Sequence, residues 1–270
     1  MTSRILVTGG TGTLGRQVVP RLREAGCDVR VLSRRTREAA DGIEYVTGDL
    51  LKDEGTQAAV DGAGIIVHCA GGAKGDDEAT RNLVRAGSLA GTQHLVYISV
   101  VGADRIPVVS GVDRAMFGYF ASKLAAERVV ADSGLPWTTL RAAQFHDGIL
   151  LTARQMARLP VILAPAGFRF QPVDAGEVAA RLVELTLGKP AGLVADMGGP
   201  RVYEMAPRAL GLTAGEIVFV SSNGWDVAGA AAYGFTTCWC NRANAPAEEL
   251  DLTPDYEVDR LDAIPEKLGL

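Results

Sequence analysis

Thr8-Gly9-Gly10-Thr11-Gly12-Thr13-Leu14-Gly15 follows a short apolar run, Arg4–Thr8 (RILVT), and leads into Leu14, Val18, Val19 and Leu22 at helical spacing. The glycines at 9, 12 and 15 therefore occupy a strand-to-helix turn with the spacing G-x-x-G-x-x-G. The first permits the tight turn, the second lets backbone approach a pyrophosphate, and the third lets the helix pack closely on the strand. The helix N-terminus then offers free N–H groups and a partial positive charge to phosphates. Any tight strand-to-helix turn can use such glycines. Placed after a first strand and before a first helix, the loop predicts dinucleotide binding through Gly9, Thr11, Gly12, Thr13, Leu14 and Gly15.

Outward from this loop the chain alternates. Asp28–Ser33 (DVRVLS) and Ile43–Val46 read as strands, and Gly64–Cys69 (GIIVHC) is a continuous apolar run of the kind buried on both faces. Glu78–Ala90 is helical, His94–Ser99 (HLVYIS) a strand, Tyr119–Ala131 helical, and Trp137–Arg141 a sixth strand. Strands separated by helical patterns imply βαβ units with right-handed crossovers. The expected fold is α/β, a doubly wound parallel sheet of the Rossmann type.

The end of the second strand bears on which dinucleotide. An NAD site usually carries an acidic residue there for the ribose 2′-OH, whereas this strand ends Leu32-Ser33-Arg34-Arg35. Arg34 and Arg35 offer guanidinium groups suited to a 2′-phosphate, so NADP(H) is expected over NAD(H). The alternative is a solvated basic loop.

Composition sets the outer limits. The chain has 270 residues, 47% hydrophobic and 22% charged, enough to bury a core and unlike a disordered or coiled-coil protein. Its 27 basic and 32 acidic residues give a net charge of −5, which disfavours nucleic acid and anionic membranes as partners. Apolar stretches such as Leu159–Phe168 fall short of the roughly 20 residues of a membrane helix. Met1-Thr2-Ser3 runs straight into the first strand, so no signal peptide is expected. Cys27, Cys69, Cys238 and Cys240 form no disulfide framework and lack paired zinc spacing, so no metal site is expected. The expectation is a soluble, acidic, cytoplasmic protein.

The segments TGGTGTLG (8–15), GDL (48–50), VHCAGG (67–72), HLVYISVVGADRIP (94–107), YFASKLAAE (119–127) and SGLPWTTLRAAQFHD (133–147) occur in the order of an atypical short-chain dehydrogenase/reductase. Together they resemble the NmrA-like NAD(P)-binding branch across most of residues 1–205. The resemblance implies that Asp49 and Leu50 sit near the adenine and that Ala70 and Gly71 lie along the cofactor. Tyr119 and Lys123 form Tyr-x-x-x-Lys and, four residues apart, share one helix face. A phenol near pKa 10 serves poorly at neutral pH unless an ammonium stabilises the phenolate, which Lys123 could do while also holding the nicotinamide ribose. The usual serine partner is open between Ser99, which ends the fifth strand, and Ser110, because the next position favoured in related enzymes is Val100. NmrA itself keeps the cofactor and drops the chemistry, so a sensor is the competing reading.

His146, just past the sixth strand, falls where ligands sit in doubly wound sheets and could orient a substrate oxygen or exchange a proton. A packing role is its alternative. His68 and His94 read as structural. The substrate pocket is expected over residues 143–172, where Phe145, Ile149, Leu150, Met156, Phe168 and Phe170 favour a hydrophobic or aromatic ligand.

After about residue 205 the pattern changes. Residues 216–242 and 253–265 resemble the C-terminal part of haloacid dehalogenases, with Ser221-Ser222-Asn223 and Asp226 matching its Ser-Ser-Asn-x-x-Asp signature. The segment reads as another βαβ unit: strand Ile217–Val220, helix Asp226–Tyr233, strand Thr236–Cys240. In the dehalogenases those residues support an aspartate nucleophile at the start of the domain. Here the first strand ends Thr8-Gly9, so an ester mechanism has no starting point. A division into 1–212 and a structural graft at 213–270 is expected, with Cys238 and Cys240 packing on one strand face. The leading function is an NADP(H)-dependent oxidoreductase for a hydrophobic carbonyl, alcohol or quinone. The alternatives are a non-catalytic NADP(H)-sensing module with a protein partner and, last, a dehalogenase-like hydrolase.

Overall fold

The computed structural model describes residues 4–72, 75–106, 108, 111–148, 169–199, 203–204, 212–221, 224–242, 244, 246 and 253–269. In chain order the elements are β1 (Arg4–Thr8), α1 (Gly15–Glu24), β2 (Val29–Ser33), β3 (Ile43–Thr47), α2 (Thr56–Val60), β4 (Ala63–His68), α3 (Asp76–Leu89), β5 (His94–Val100), α4 (Gly111–Ala131) and β6 (Trp137–Ala142). Then follow β7 (Arg169–Phe170), α5 (Ala175–Leu187), β8 (Gly192–Leu193), β9 (Tyr203–Glu204), β10 (Val218–Ser221), α6 (Gly224–Tyr233), β11 (Thr236–Cys240), β12 (Tyr256–Val258) and α7 (Ile264–Leu268).

Seven strands form one parallel sheet in the order β3-β2-β1-β4-β5-β6-β8. The fold is the expected doubly wound, Rossmann-type α/β architecture. Strand order reverses beside β1, which pairs with β2 on one side and β4 on the other. At such a switch point the two halves wind in opposite directions and leave a crevice outside the strand C-termini. Central strands are buried along their length, β2 and β5 without an exposed position, which is why they read as continuous apolar runs. Helix α1 turns Val18, Val19 and Leu22 inward and packs against α5; α3 packs against α4. One apolar cluster joins Leu6, Leu32, Ile66, Leu83, Leu95, Tyr97 and Val130.

The chain divides into two compact units, and the division differs from a break at 212/213. One unit comprises Met1–Gln144 and Val173–Gly199; the other comprises Phe145–Pro172 and Pro200–Leu270. The excursion after β6 starts and ends at paired backbone, since Val173 N–H donates to Gln144 O at 3.1 Å. Asp174 then caps α5, accepting from the N–H groups of Gly176 and Glu177.

The second unit holds a parallel sheet β10-β11-β12 with α6 between its first two strands, and an antiparallel pair β7-β9. Alternation along β11 builds two small cores. Trp239 packs with Phe219, Val227 and Ala230, while Cys238 and Cys240 turn to the other face with Val258 and Ile264. All four cysteines are free. Among the described residues, no helix is long and apolar enough to cross a membrane, and no group of three or more His, Cys, Asp or Glu could hold a metal ion.

Candidate functional site

The glycine loop opens the crevice at the C-terminal ends of β1 and β4. Gly9 has φ +68°, and a Cβ there would come 2.6 Å from Ala70 N, so only glycine lets the two strand exits touch. A Cβ on Gly15 would run into the Gly9 carbonyl, so only glycine brings α1 this close to the strand. Gly12 differs: it is exposed, and a Cβ would meet only Gly9 O, at 3.2 Å. Its backbone is the open surface of the loop. No side chain caps the start of α1 at Leu14, so no side-chain acceptor of its own occupies that helix end. Two tight glycines, one open glycine and an uncapped helix end fit a pyrophosphate.

Arg34 and Arg35 are exposed just past β2. Ser33 Oγ donates to Arg35 O (2.8 Å) and accepts from Arg35 N–H (3.2 Å), fixing the backbone that presents them. Past β3, Asp49 Oδ1 accepts from Leu51 N–H at 2.9 Å, and the Asn82 amide donates to Leu50 O at 2.8 Å. Both turns therefore stand at the sheet edge that carries the glycine loop.

Below the loop lies a buried polar network. His68 Nδ1 is 2.7 Å from Thr8 Oγ1, and His68 Nε2 is 3.1 Å from Thr80 Oγ1. Thr80 Oγ1 donates to Asp76 O (2.6 Å), and Thr8 Oγ1 accepts from Ala70 N–H (3.3 Å). One proton per hydroxyl then sets the tautomer: Thr8 donates to Nδ1, and Nε2–H donates to Thr80. Burial, and then the Lys123 charge, push the imidazole down to about 3, so His68 is neutral. It stacks on Tyr97, with ring centroids 5.3 Å apart. Burial pushes the Cys69 thiol up to about 12 against the opposing pull of Lys123, so it is no thiolate nucleophile.

Tyr119 and Lys123 both lie on α4 but in different surroundings. Tyr119 is 40% exposed, whereas Lys123 is 3% exposed. The Lys123 ammonium pairs with Asp76 Oδ2 at 3.1 Å and reaches Tyr97 OH and Ile98 O at 3.4 Å each. Its Nζ is 5.1 Å from the Tyr97 ring centre and 5.9 Å from that of Tyr119. A Cβ on Gly71 would lie 2.8 Å from that Nζ, so the ammonium sits directly beneath the loop after β4. Burial, then the Asp76 carboxylate, push the Tyr119 phenol up to about 12; solvent on its exposed part screens some of that push. Asp76, rather than the phenol, is the anion that meets the lysine charge.

Ser99 is the penultimate residue of β5, in register with Arg141, and its hydroxyl is buried with no hydrogen-bond partner among the described residues. Arg141 is itself held by Glu127 through two bonds of 2.9 and 2.7 Å and by Asp104 at 2.8 Å. The structure thus gathers Gly9, Gly15, Ala70, Gly71 and Lys123 at one crevice. His146 is exposed and belongs to the second compact unit. Ser110, Ile149, Leu150, Met156, Phe168, Ser222 and Asn223 carry expectations that lie outside the described residues or side chains, as do the side chains of Phe170 and Asp226. Sequence reasoning passed over Asp76 and Tyr97. A tyrosine in a run as apolar as HLVYIS has to find a partner for its hydroxyl, and that was the available signal.

A protein family described as NAD(P)H-binding matches residues 9–184. The (4-alkanoyl-5-oxo-2,5-dihydrofuran-3-yl)methyl phosphate reductase of Streptomyces griseus is 32% identical over 193 residues, 68% of this chain and 63% of that protein. The (S)-2-haloacid dehalogenase of Pseudomonas sp. (strain YL) is 54% identical over 66 residues, 24% of this chain and 28% of the dehalogenase. The chain therefore spans less than two thirds of either curated relative. Among solved structures, the NADPH-dependent quinone oxidoreductase QOR2 of Escherichia coli, complexed with NADPH, superposes with a TM-score of 0.66 at 21% identity. That match covers 86% of this chain and 83% of the other, and it is a likeness of fold.

Proposed function

The chain belongs to the NAD(P)H-binding family, and from that premise we propose that it is an NADP(H)-dependent oxidoreductase acting on a hydrophobic or aromatic carbonyl, alcohol or quinone. The crevice between β1 and β4, with its open Gly12 and two arginines past β2, carries this reading. Gly9, Thr11, Gly12, Thr13, Leu14 and Gly15 would take the pyrophosphate, and Arg34 and Arg35 a 2′-phosphate. Asp49 and Leu50 would flank the adenine, while Ala70, Gly71 and Lys123 would lie along the nicotinamide half. A bound nicotinamide supplies or accepts a hydride.

The chain's own part is to bind, orient and hold a proton. Tyr119, at the exposed edge of α4, would hold the proton exchanged with the substrate oxygen. Ser99 would present its hydroxyl, which has no partner among the described residues. Likeness to the Streptomyces reductase and to the NADPH-dependent quinone oxidoreductase of Escherichia coli supports this reaction class. Neither nucleic acid nor membrane is part of this reading. Cytoplasmic residence is, and four free cysteines support it.

A second reading, a non-catalytic NADP(H)-sensing module with a protein partner, is favoured by one observation: the Lys123 ammonium is already paired with the Asp76 carboxylate. The experiment is NADPH consumption by the intact chain with a panel of quinones and ketones. Turnover is expected, reduced about 10²–10⁴-fold in Tyr119→Phe. Tight NADPH binding without consumption would establish the sensor instead. Halide release from a 2-haloacid would overturn both.

A further inference from the structure

Asp76 turns its two oxygens to different partners. Oδ1 accepts from Gly72 N–H at 2.6 Å, and Oδ2, without a hydrogen-bond partner among the described residues, lies 3.1 Å from Lys123 Nζ in an ion pair. Its own N–H donates to Ser122 Oγ at 3.3 Å, tying the start of α3 to α4. Asp76 and Lys123 are 6% and 3% exposed, so neither charge is screened by solvent. One carboxylate thus binds the loop after β4 to the lysine beneath it.

The other described titratable groups near Tyr119 carry no charge into this pocket. Tyr97 on β5 is held protonated by burial and then by Asp76, while His68 and Cys69 at the exit of β4 are both neutral. Glu127, further along α4, is neutralised by Arg141. Among the described residues, Asp76 and Lys123, paired with each other, are the charges left to act on the phenol, and they act in opposite directions.

We infer that Asp76 is a positioning residue of this site: it holds the Lys123 ammonium beneath the Gly71–Gly72 loop and offsets the charge that Lys123 would otherwise exert on the Tyr119 phenol. The inference deepens the oxidoreductase reading, and rests on it where it makes Tyr119 the proton carrier. Its geometry does not depend on turnover. Asp76→Asn keeps an oxygen for Gly72 N–H and removes the negative charge, leaving the ammonium to favour the phenolate. The result is a Tyr119 that ionises at lower pH.

The test is a spectrophotometric tyrosinate titration of the cofactor-free full chain. Tyr119→Phe in the parent and variant backgrounds isolates the Tyr119 signal. In Asp76→Asn that signal should move down by about one pH unit or more. Asp76→Glu, which keeps the charge, should stay near the parent. Asp76→Ser, whose hydroxyl suits the first turn of a helix, is read in the same way if Asp76→Asn does not fold. An unmoved Tyr119 signal in a folded variant would overturn the inference, and so would unfolding of both variants, which would make Asp76 purely structural. A protein that never consumes NADPH yet shows the shift would keep the inference and lose the proposed reaction.

Discussion

Thr8 Oγ1 lies 2.7 Å from His68 Nδ1, joining the last residues of β1 and β4 where the strand order reverses. The pair forms the floor under Gly9 and Ala70, and it leaves His68 no room for a second ring proton. The folded imidazole, down at about 3, lies below its ordinary 6.5, so protons bind the unfolded chain more tightly. Stability from this source is whole above about pH 6.5 and is lost as pH falls toward 3, at about 1.4 kcal/mol per pH unit between them. Denaturant midpoints measured across that window should fall more steeply in the parent than in His68→Gln. Equal slopes would show that His68 is not held neutral.

Arg141 and Glu127 form a buried two-bond pair between β6 and α4. Glu127→Ala would leave the guanidinium buried with Asp104, which is half-exposed. Breaking a buried pair costs roughly 3–5 kcal/mol, and the remaining partner puts this one toward about 3. Urea denaturation should show that loss. A change below about 1 kcal/mol would mean that water or Asp104 takes over.

The glycines of the loop should separate folding from binding. Gly9→Ala forces a side chain into a left-handed position against Ala70 N and should destabilise the protein by about 1–3 kcal/mol or more. Gly12→Ala meets only Gly9 O and should fold normally, while NADPH affinity falls about tenfold or more because backbone approach to the pyrophosphate is lost. Melting temperatures and calorimetric affinities of the two variants would show the split. Unchanged NADPH binding in Gly12→Ala would move the phosphates elsewhere.

In the second unit, Trp239 is the large residue of a small core with Phe219, Val227 and Ala230. Trp239→Ala should destabilise that unit by about 3–5 kcal/mol. Every residue proposed for the cofactor, from Gly9 to Lys123, belongs to the first unit. NADPH affinity should therefore stay within a few-fold of the parent below the lowered melting point. Loss of binding in the folded variant would show that the tail is needed for the site.

Strands β1 to β6 were legible to within a residue or two; the central ones, parallel and buried on both faces, leave continuous apolar runs, while β3 stands at the sheet edge and is only partly buried. In the tail, Thr236–Cys240 was read with its full bounds. The five residues of α2, the three of β12 and the two-residue strands β7 and β9 are too short to carry a period. At the site, the glycine triplet and the arginines were visible because each is local in sequence. Asp76 was hidden, since an acid at a helix start reads as ordinary dipole compensation. The spacing of Tyr119 and Lys123 shows that they share a helix, and not which neighbour across the fold claims the ammonium. Asp76, 47 residues upstream, claims it.

Calorimetric titration of the intact chain with NADPH and with NADH tests the central claim most directly. NADPH should bind about tenfold or more tightly than NADH, the worth of a charged arginine–phosphate contact of roughly 1.5–3 kcal/mol. Arg34→Ala should erase most of that difference and leave NADH binding nearly intact. Equal affinities in the parent, or no binding of either nucleotide, would contradict the assignment of the crevice between β1 and β4 to NADP(H).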